Sequence, residues 1–415
     1  MKTWVSYFAA LAMGFATCLL FGDYSFATEI FSSVSSYLIN FAVYLFLPIL
    51  IITFSAGIAS LKKDEAGGKM GSSIIGWAIS STVILAISAA AIYYFFPVKF
   101  PVTASVGSSI EGLNVAAANI IMDAKNYLFP ANPFALLSDV STFLPPAILI
   151  AWVLGLALKP SSDIIRPAYT VINSFAEVMY RISRTITTFG WILAYTSSSW
   201  FFLSLYQEKT VLVAPEFLMR IVLATLAAFF VIIPIIYAAY TGFRRNPYRA
   251  LFRSSANLVT ALVTGNIIAA SLIGESVSRQ NLGSQKRITS TAIPLFTVFS
   301  RGGTAFISTL VALMLVQGAT GTAPSIYVCL IVACAVMLSS LTSSLFVGFE
   351  TVFAVLFAFR LCSINLANAE AALIAILPLI NGIGVMLDSY LSNLGTVVAS
   401  AAVGTDVKIP YSDTI

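Results

Sequence analysis

Ten apolar runs punctuate the chain, near residues 4–22, 38–61, 72–97, 134–158, 185–205, 211–242, 254–273, 288–316, 326–358 and 371–404. A helix that crosses a membrane needs about 20 predominantly apolar residues, so these runs predict membrane helices. The first follows Met1-Lys2, as the core of a signal peptide would. Residues 15–22 offer no convincing small-x-small cleavage site, however, and an uncleaved helix is expected. Two runs differ from the rest. Residues 254–273 lie between the basic clusters Arg244–Arg253 and Arg279–Arg287, and a single crossing would carry one cluster to the wrong face. A segment that enters and returns avoids this, provided protein or trapped water satisfies its backbone at membrane depth. Residues 326–358 are interrupted by Ser339-Ser340-Leu341-Thr342-Ser343-Ser344, where a helix can break and hydroxyls can take up freed carbonyls. The competing reading is that these hydroxyls join neighbouring helices. Two broken segments in corresponding places point to inverted repeats around a midplane binding site.

Composition agrees with a lipid-facing surface. The 415 residues are 59 % hydrophobic and 9 % charged, with mean hydropathy +0.94, whereas soluble domains carry roughly 25 % charged residues. The four cysteines (Cys18, Cys329, Cys334, Cys362) lie inside apolar runs and read as small hydrophobes, not as a disulfide framework. There is no histidine, which removes imidazole acid–base catalysis, histidine metal sites and Ser-His-Asp chemistry together. The net charge of +5 reflects topology. With the N-terminus inside and helices alternating, fourteen of the 22 Lys and Arg residues fall in inner segments. Lys99, Lys125, Lys209, Arg220 and Arg360 fall outside, and Arg181, Arg184 and Arg301 lie within helices. Basic loops stay cytoplasmic, so both termini are expected in the cytoplasm of a multi-pass plasma (inner) membrane protein.

Several local features have plain explanations. Arg181 and Arg184 share a helix face and are expected to snorkel; Glu177, four residues before Arg181, is expected to pair with it. The cluster around Arg244, Arg245, Arg249 and Arg253 is topological, with anionic lipid as a contact. Trp4, Tyr7, Tyr24 and Trp200 fit interfacial belts. No metal-ligand spacing, phosphate loop or ATP motif appears.

Several stretches carry a resemblance. Leu47-Pro48-Ile49 through Ser55-Ala56-Gly57-Ile58-Ala59-Ser60-Leu61 is similar to the second helix of the dicarboxylate/amino acid:cation symporters, the glutamate-transporter family. Asn132-Pro133-Phe134 with Leu144-Pro145 and Leu154-Gly155-Leu156-Ala157 resembles that family's fourth helix, and Phe175-Ala176-Glu177-Val178-Met179-Tyr180 its fifth. Thr260-Ala261-Leu262-Val263-Thr264 sits where the family enters its first re-entrant hairpin, and Ile293-Pro294-Leu295 through Gly303-Thr304-Ala305 at its seventh helix. The resemblance spans roughly 37–405. It implies an all-α integral membrane fold of eight transmembrane helices plus two oppositely oriented re-entrant hairpins, assembled as a homotrimer. Residues 1–71 and 99–205 would form the scaffold. Residues 72–98 and 206–415 would form an elevator-type transport domain, with hairpin 1 at about 254–287 and hairpin 2 at about 326–358.

The chain departs from that family where its chemistry should sit. The family's seventh helix unwinds at Asn-Met-Asp-Gly-Thr, whose carbonyls and carboxylate hold sodium. Here the run is Ser300-Arg301-Gly302-Gly303-Thr304, so the carboxylate is lost and an arginine stands beside the gap. Placing a charge at the bilayer centre costs several kcal/mol, with estimates from about 2.5 to above 10, so Arg301 must face a cavity or a partner. Three readings compete: it binds a solute carboxylate through its planar fork, it is a fixed cation in place of sodium, or it is structural and paired with Asp388 or Glu350. The family's eighth helix carries an Asp for the solute's amino group and an Arg for its side-chain carboxylate. Here Asp388 matches the Asp and Leu391 stands where the Arg would be, while Asn393 fits the family's Asn only with a two-residue slip. Asp388 is the only acid between Glu370 and Asp406. The first hairpin's serine-rich tip becomes Gly265-Asn266-Ile267-Ile268-Ala269-Ala270, and the second's glycine-rich tip becomes Ser339–Ser344 with Gly348.

The substrate-binding candidates are therefore Arg301, Asp388, Thr304, Asn266, Ser343, Ser344, Asn393 and Ser392; the cation candidates are Ser300, Gly302, Asp388 and Asn393. No catalytic residue, cofactor, resident metal or nucleic acid is expected, and Na+ or H+ is the expected coupling ion. The sequence reads as a secondary symporter of a small amino acid or dicarboxylate. A cation-independent exchanger or uniporter of a neutral amino acid or other organic anion stands as the alternative. A passive anion channel would show repeated polar rings along a pore, and none appears. An embedded enzyme or a receptor is disfavoured by the absent histidine and the lack of a soluble domain.

Overall fold

The computed structural model describes residues 2–63, 67–100, 144–159, 162–208, 215–364, 369–404, 409–410 and 414. The Asn132-Pro133-Phe134 motif, Lys125, Lys209 and Lys408 lie outside the described residues, as does the start of the 134–158 run. Every described element is helical. In chain order they are α1 (Thr3–Phe21), α2 (Ser25–Lys63), α3 (Gly67–Phe95), α4 (Pro145–Ala157), α5 (Arg166–Phe189), α6 (Trp191–Gln207) and α7 (Pro215–Tyr240). They continue as α8 (Pro247–Arg253), α9 (Ser255–Thr264), α10 (Ile267–Gln280), α11 (Lys286–Phe299), α12 (Gly302–Thr320), α13 (Ile326–Thr342), α14 (Glu350–Leu361), α15 (Ala369–Ala375) and α16 (Leu377–Ala402).

Among the described residues, α1, α2, α3, α7 and the α11–α12 run are long and apolar enough to cross a membrane. The pair α15–α16, bent by 75°, makes a sixth. The protein is thus a multi-pass membrane protein. Several boundaries differ from the apolar runs. The second run begins at residue 38, yet α2 starts at Ser25 and is 39 residues long, about 58 Å at 1.5 Å per residue. Residues 25–37 contain no proline or glycine to stop a helix, so it continues past the apolar stretch. The run 185–205 is divided at Gly190 between α5 and α6. The backbone there must be glycine, because a Cβ would run into the Tyr7 hydroxyl and the Ile186 carbonyl. Inside α7 the register widens to a π-turn over Ala228–Ile232. Pro234 lacks the N–H that would bond the Phe230 carbonyl, and the Tyr248 hydroxyl donates to that carbonyl instead, at 2.9 Å.

Two groups of helices emerge from the packing. α1 packs on α6, and α2 on α4, α5 and α6. α3 packs on α12, α13 and α16, which also contact one another or α14. Trp77 of α3 donates its indole N–H to the Leu391 carbonyl of α16 at 2.9 Å. The groups meet through α11 on α2, α10 on α5 and α9 on α6. At the α5 boundary Glu177 does not pair with Arg181 as the sequence spacing suggests. Its carboxylate reaches Lys286 at 3.1 Å and Arg279 at 3.8 Å, because α5 lies beside α10 and α11. Arg279 also stacks 3.2 Å above the Tyr180 ring. Tyr7 is likewise no belt residue. It is fully buried and donates to the Thr187 carbonyl at 2.8 Å.

Two helix pairs fold back on themselves. α9 ends in left-handed Gly265 (φ 55°), and Asn266 caps α10 by accepting from the Ile268 and Ala269 amides at 3.0 Å each. At the other end Arg253 donates to the Asn281 carbonyl at 2.9 Å while the Asn281 amide donates to the Arg253 carbonyl at 3.0 Å. That reciprocal pair joins the start of α9 to the end of α10. Ten and fourteen residues rise only about 15 and 21 Å, short of a bilayer core. α13 and α14 pack together, joined by the Ser339 hydroxyl donating to the Ala354 carbonyl at 2.8 Å. The serine stretch does not break the helix where it begins. α13 runs through Ser339 and Ser340, whose hydroxyls bond back to carbonyls one turn earlier, and the turn comes at Ser343–Phe349.

Candidate functional site

The apolar run 288–316 is one stretch in sequence but two helices in space. α11 stops at Phe299 and α12 starts at Gly302, with Ser300 (φ −87°, ψ 84°) and Arg301 (φ −111°, ψ 25°) in the gap. A helix start leaves N–H groups without intrahelical partners. Asp388 of α16 takes them: Oδ1 accepts from the Gly303 amide at 2.6 Å, and Oδ2 accepts from the Thr304 hydroxyl at 2.6 Å. The Thr304 amide is 3.3 Å from both oxygens. The carboxylate thus sits at the positive end of the α12 dipole, a favourable place for an anion. Gly303 permits the approach, since a Cβ there would overlap the Gly384 carbonyl, Leu387 Cβ and the Asp388 amide.

Arg301 lies in the gap with 1 % exposure. Its Nε donates to the Val298 carbonyl at 3.3 Å. Nη1 stands 3.8 Å from Glu350 Oε1 and 3.9 Å from Asp388 Oδ2, both carboxylates being fully buried. These separations exceed the roughly 2.7–2.9 Å of a direct charge-assisted bond. Nη1 and Glu350 Oε1 each lack a hydrogen-bond partner. The other oxygen, Oε2, is held by the Gly348 amide at 2.8 Å and by Asn381 Nδ2 at 3.0 Å.

Asn381, absent from the sequence candidates, fastens this arrangement. Its Nδ2 also donates to the Gly265 carbonyl at the α9–α10 turn, at 2.8 Å, and its Oδ1 accepts from the Thr351 amide at 3.1 Å. One carboxamide on α16 therefore holds both fold-back turns. Glu350 was visible in the sequence only as a partner for Arg301. An acid at the head of the apolar stretch Val352–Phe359 was the signal for a larger part; nothing local marked Asn381.

The structure brings Arg301, Asp388 and Thr304 together. Asn266 is occupied as the α10 cap. Ser343 donates back to the Ser340 carbonyl at 2.6 Å, and Ser344 is buried beside it in the turn. Asn393 lies further along α16 against α10, accepting from the Ser278 hydroxyl at 3.3 Å. The Ser392 carbonyl accepts from Thr396 within α16. Ser300 has a buried hydroxyl without a partner. Gly302 faces Leu391 and Leu85: a Cβ there would come within 2.7 Å of Leu391 Cδ1 and 2.9 Å of Leu85 Cδ1. The two positions that depart most from the resembled family, 302 and 391, thus pack against each other. Among the described residues no group of three or more His, Cys, Asp or Glu side chains could hold a metal ion.

Around the broken helix, capped by the α16 carboxylate and framed by two fold-back pairs, the sequence matches one known family along almost the entire chain. The model of the sodium:dicarboxylate symporter family covers residues 3–404. The chain belongs to the sodium:dicarboxylate symporter family. No curated protein matches the chain in sequence. As a family member the protein is a membrane transporter of a small solute, and the buried charged cluster lies in the segment where its sequence departs from the expected sodium motif.

Proposed function

We propose that the protein is a secondary active transporter of a small carboxylate-bearing solute, an amino acid or a dicarboxylate, driven by a Na+ or H+ gradient. The observation that carries this reading is Arg301, a guanidinium buried at a helix break between carboxylates of α14 and α16. An isolated charge at that depth is costly, and its donor Nη1 has no hydrogen bond. No covalent chemistry is involved; coupling comes from differential binding of ion and solute to two states.

The same reading takes the α9–α10 and α13–α14 pairs as re-entrant hairpins completing an eight-helix fold, with both termini in the cytoplasm of the plasma membrane. The grouping of α1, α2, α4, α5 and α6 apart from α3, α7 and α9–α16 supports a scaffold at 1–71 and 99–205 and a moving transport domain at 72–98 and 206–415. The scaffold is the proposed site of homotrimer contacts. Leu391 against Gly302 leaves the expected sodium position apolar, which favours a reduced dependence on sodium. Uptake into proteoliposomes, with sodium replaced by choline and with or without a pH gradient, tests the coupling. Transport that persists in choline under a proton gradient is expected. Loss of all transport in choline at every pH would overturn the claim about the sodium position.

A further inference from the structure

We infer that Arg301 and Glu350, not Asp388, read the solute, and that they read the head group of an α-amino acid. The inference rests on the transport function proposed above and narrows its substrate class. Asp388 is the residue that the family pattern assigns to the solute's amino group, yet here both its oxygens are engaged by Gly303 and Thr304 at the start of α12. It positions the helix break and has no oxygen left over. Glu350 does. Its Oε2 is anchored by Gly348 and Asn381, which leaves the second oxygen, Oε1, buried without a hydrogen bond. Opposite it, 3.8 Å away, Arg301 Nη1 also lacks a hydrogen bond.

An anionic acceptor and a cationic donor that face each other at 3.8 Å without a hydrogen bond complement a zwitterion, whose ammonium binds Glu350 Oε1 and whose carboxylate binds Arg301 Nη1. Charge arithmetic favours a zwitterion over a dicarboxylate. Arg301 is the only buried Lys or Arg among the described residues, and it already faces two carboxylates. A zwitterion adds no net charge to the cluster. A dicarboxylate would add two negative charges with no second buried cationic side chain among the described residues to meet them, and position 391, where an arginine would read the second carboxylate, is an apolar Leu391 packed on Gly302. The turn at Phe346–Phe349 beside Glu350 is only partly buried, and its Gly348 (φ 92°) donates its amide to Glu350 Oε2.

Thermal-shift titration of the purified full-length protein tests this with L-alanine, L-serine and L-leucine, their 2-hydroxy-acid counterparts, their carboxamides, and succinate. At least one amino acid should stabilise the protein by mass action. Its hydroxy-acid and carboxamide counterparts should bind at least tenfold more weakly, and succinate should not bind. In Glu350→Gln the preference for amino over hydroxy acid should collapse to near unity. Succinate binding in preference to every amino acid would overturn the head-group assignment and leave the transport reading standing. Equal binding of amino and hydroxy acids by the unaltered protein would also overturn it, and needs no variant to fold. An absence of both binding and uptake for every probe would overturn the transport reading itself.

Discussion

Removing Arg301 should separate the structural from the transport role of the buried cluster. In Arg301→Met the Glu350 and Asp388 carboxylates remain fully buried with the cation that faced them at 3.8 and 3.9 Å gone. Breaking a buried ion pair by deleting one partner typically destabilises by about 3–5 kcal/mol, because an uncompensated charge is left behind. For a chain of this size that corresponds to a fall in melting temperature of roughly 3–6 °C. Replacing both partners with uncharged residues is often neutral, so Arg301→Met combined with Glu350→Gln should recover most of that loss. Asp388 still has its helix-start donors in the double variant. Uptake should be absent in both. The assay pairs melting at one fixed scan rate with proteoliposome uptake. A double variant that regains transport along with stability would mean that Arg301 only balances charge, and the site would have to lie elsewhere. An unaltered melting temperature in the single variant would refute the argument from burial.

Three further substitutions probe the α10 cap and the boundary between the two helix groups. Asn266→Ala removes the α10 cap and should lower stability by about 1 kcal/mol, while solute affinity stays within threefold in a binding titration; a tenfold loss of affinity would return Asn266 to the solute site. At the boundary between the two helix groups, Glu177 is 43 % exposed, so Glu177→Gln should cost less than about 1 kcal/mol. Tyr180→Ala should cost more, since it removes a buried ring beneath Arg279 and the hydroxyl that Gln280 donates to at 2.7 Å. Chemical denaturation of both variants would rank them, and the reverse order would contradict the assignment.

The positions of the apolar runs, the low charge and the absent histidine determined by themselves that this chain lives in lipid and does no imidazole chemistry, because the length and polarity of a stretch are properties of the stretch alone. The two fold-back pairs were also foreshadowed, one by basic clusters on both flanks and the other by a run of hydroxyls. The break beside Arg301 was implied only by the resemblance to a family whose seventh helix unwinds at that position. Local pattern misjudged where its signal competes with a distant partner. Glu177 had a suitable neighbour four residues on but found better ones on α10 and α11, and Tyr7 looked interfacial but was covered by α5. Only the tertiary structure decided which carboxylate is occupied and which is free, that Leu391 fills the space at Gly302, and that Asn381 holds both turns. These contacts join residues about 30 to 116 positions apart, and no periodicity in a sequence encodes a hydrogen bond that exists only once separate helices have packed.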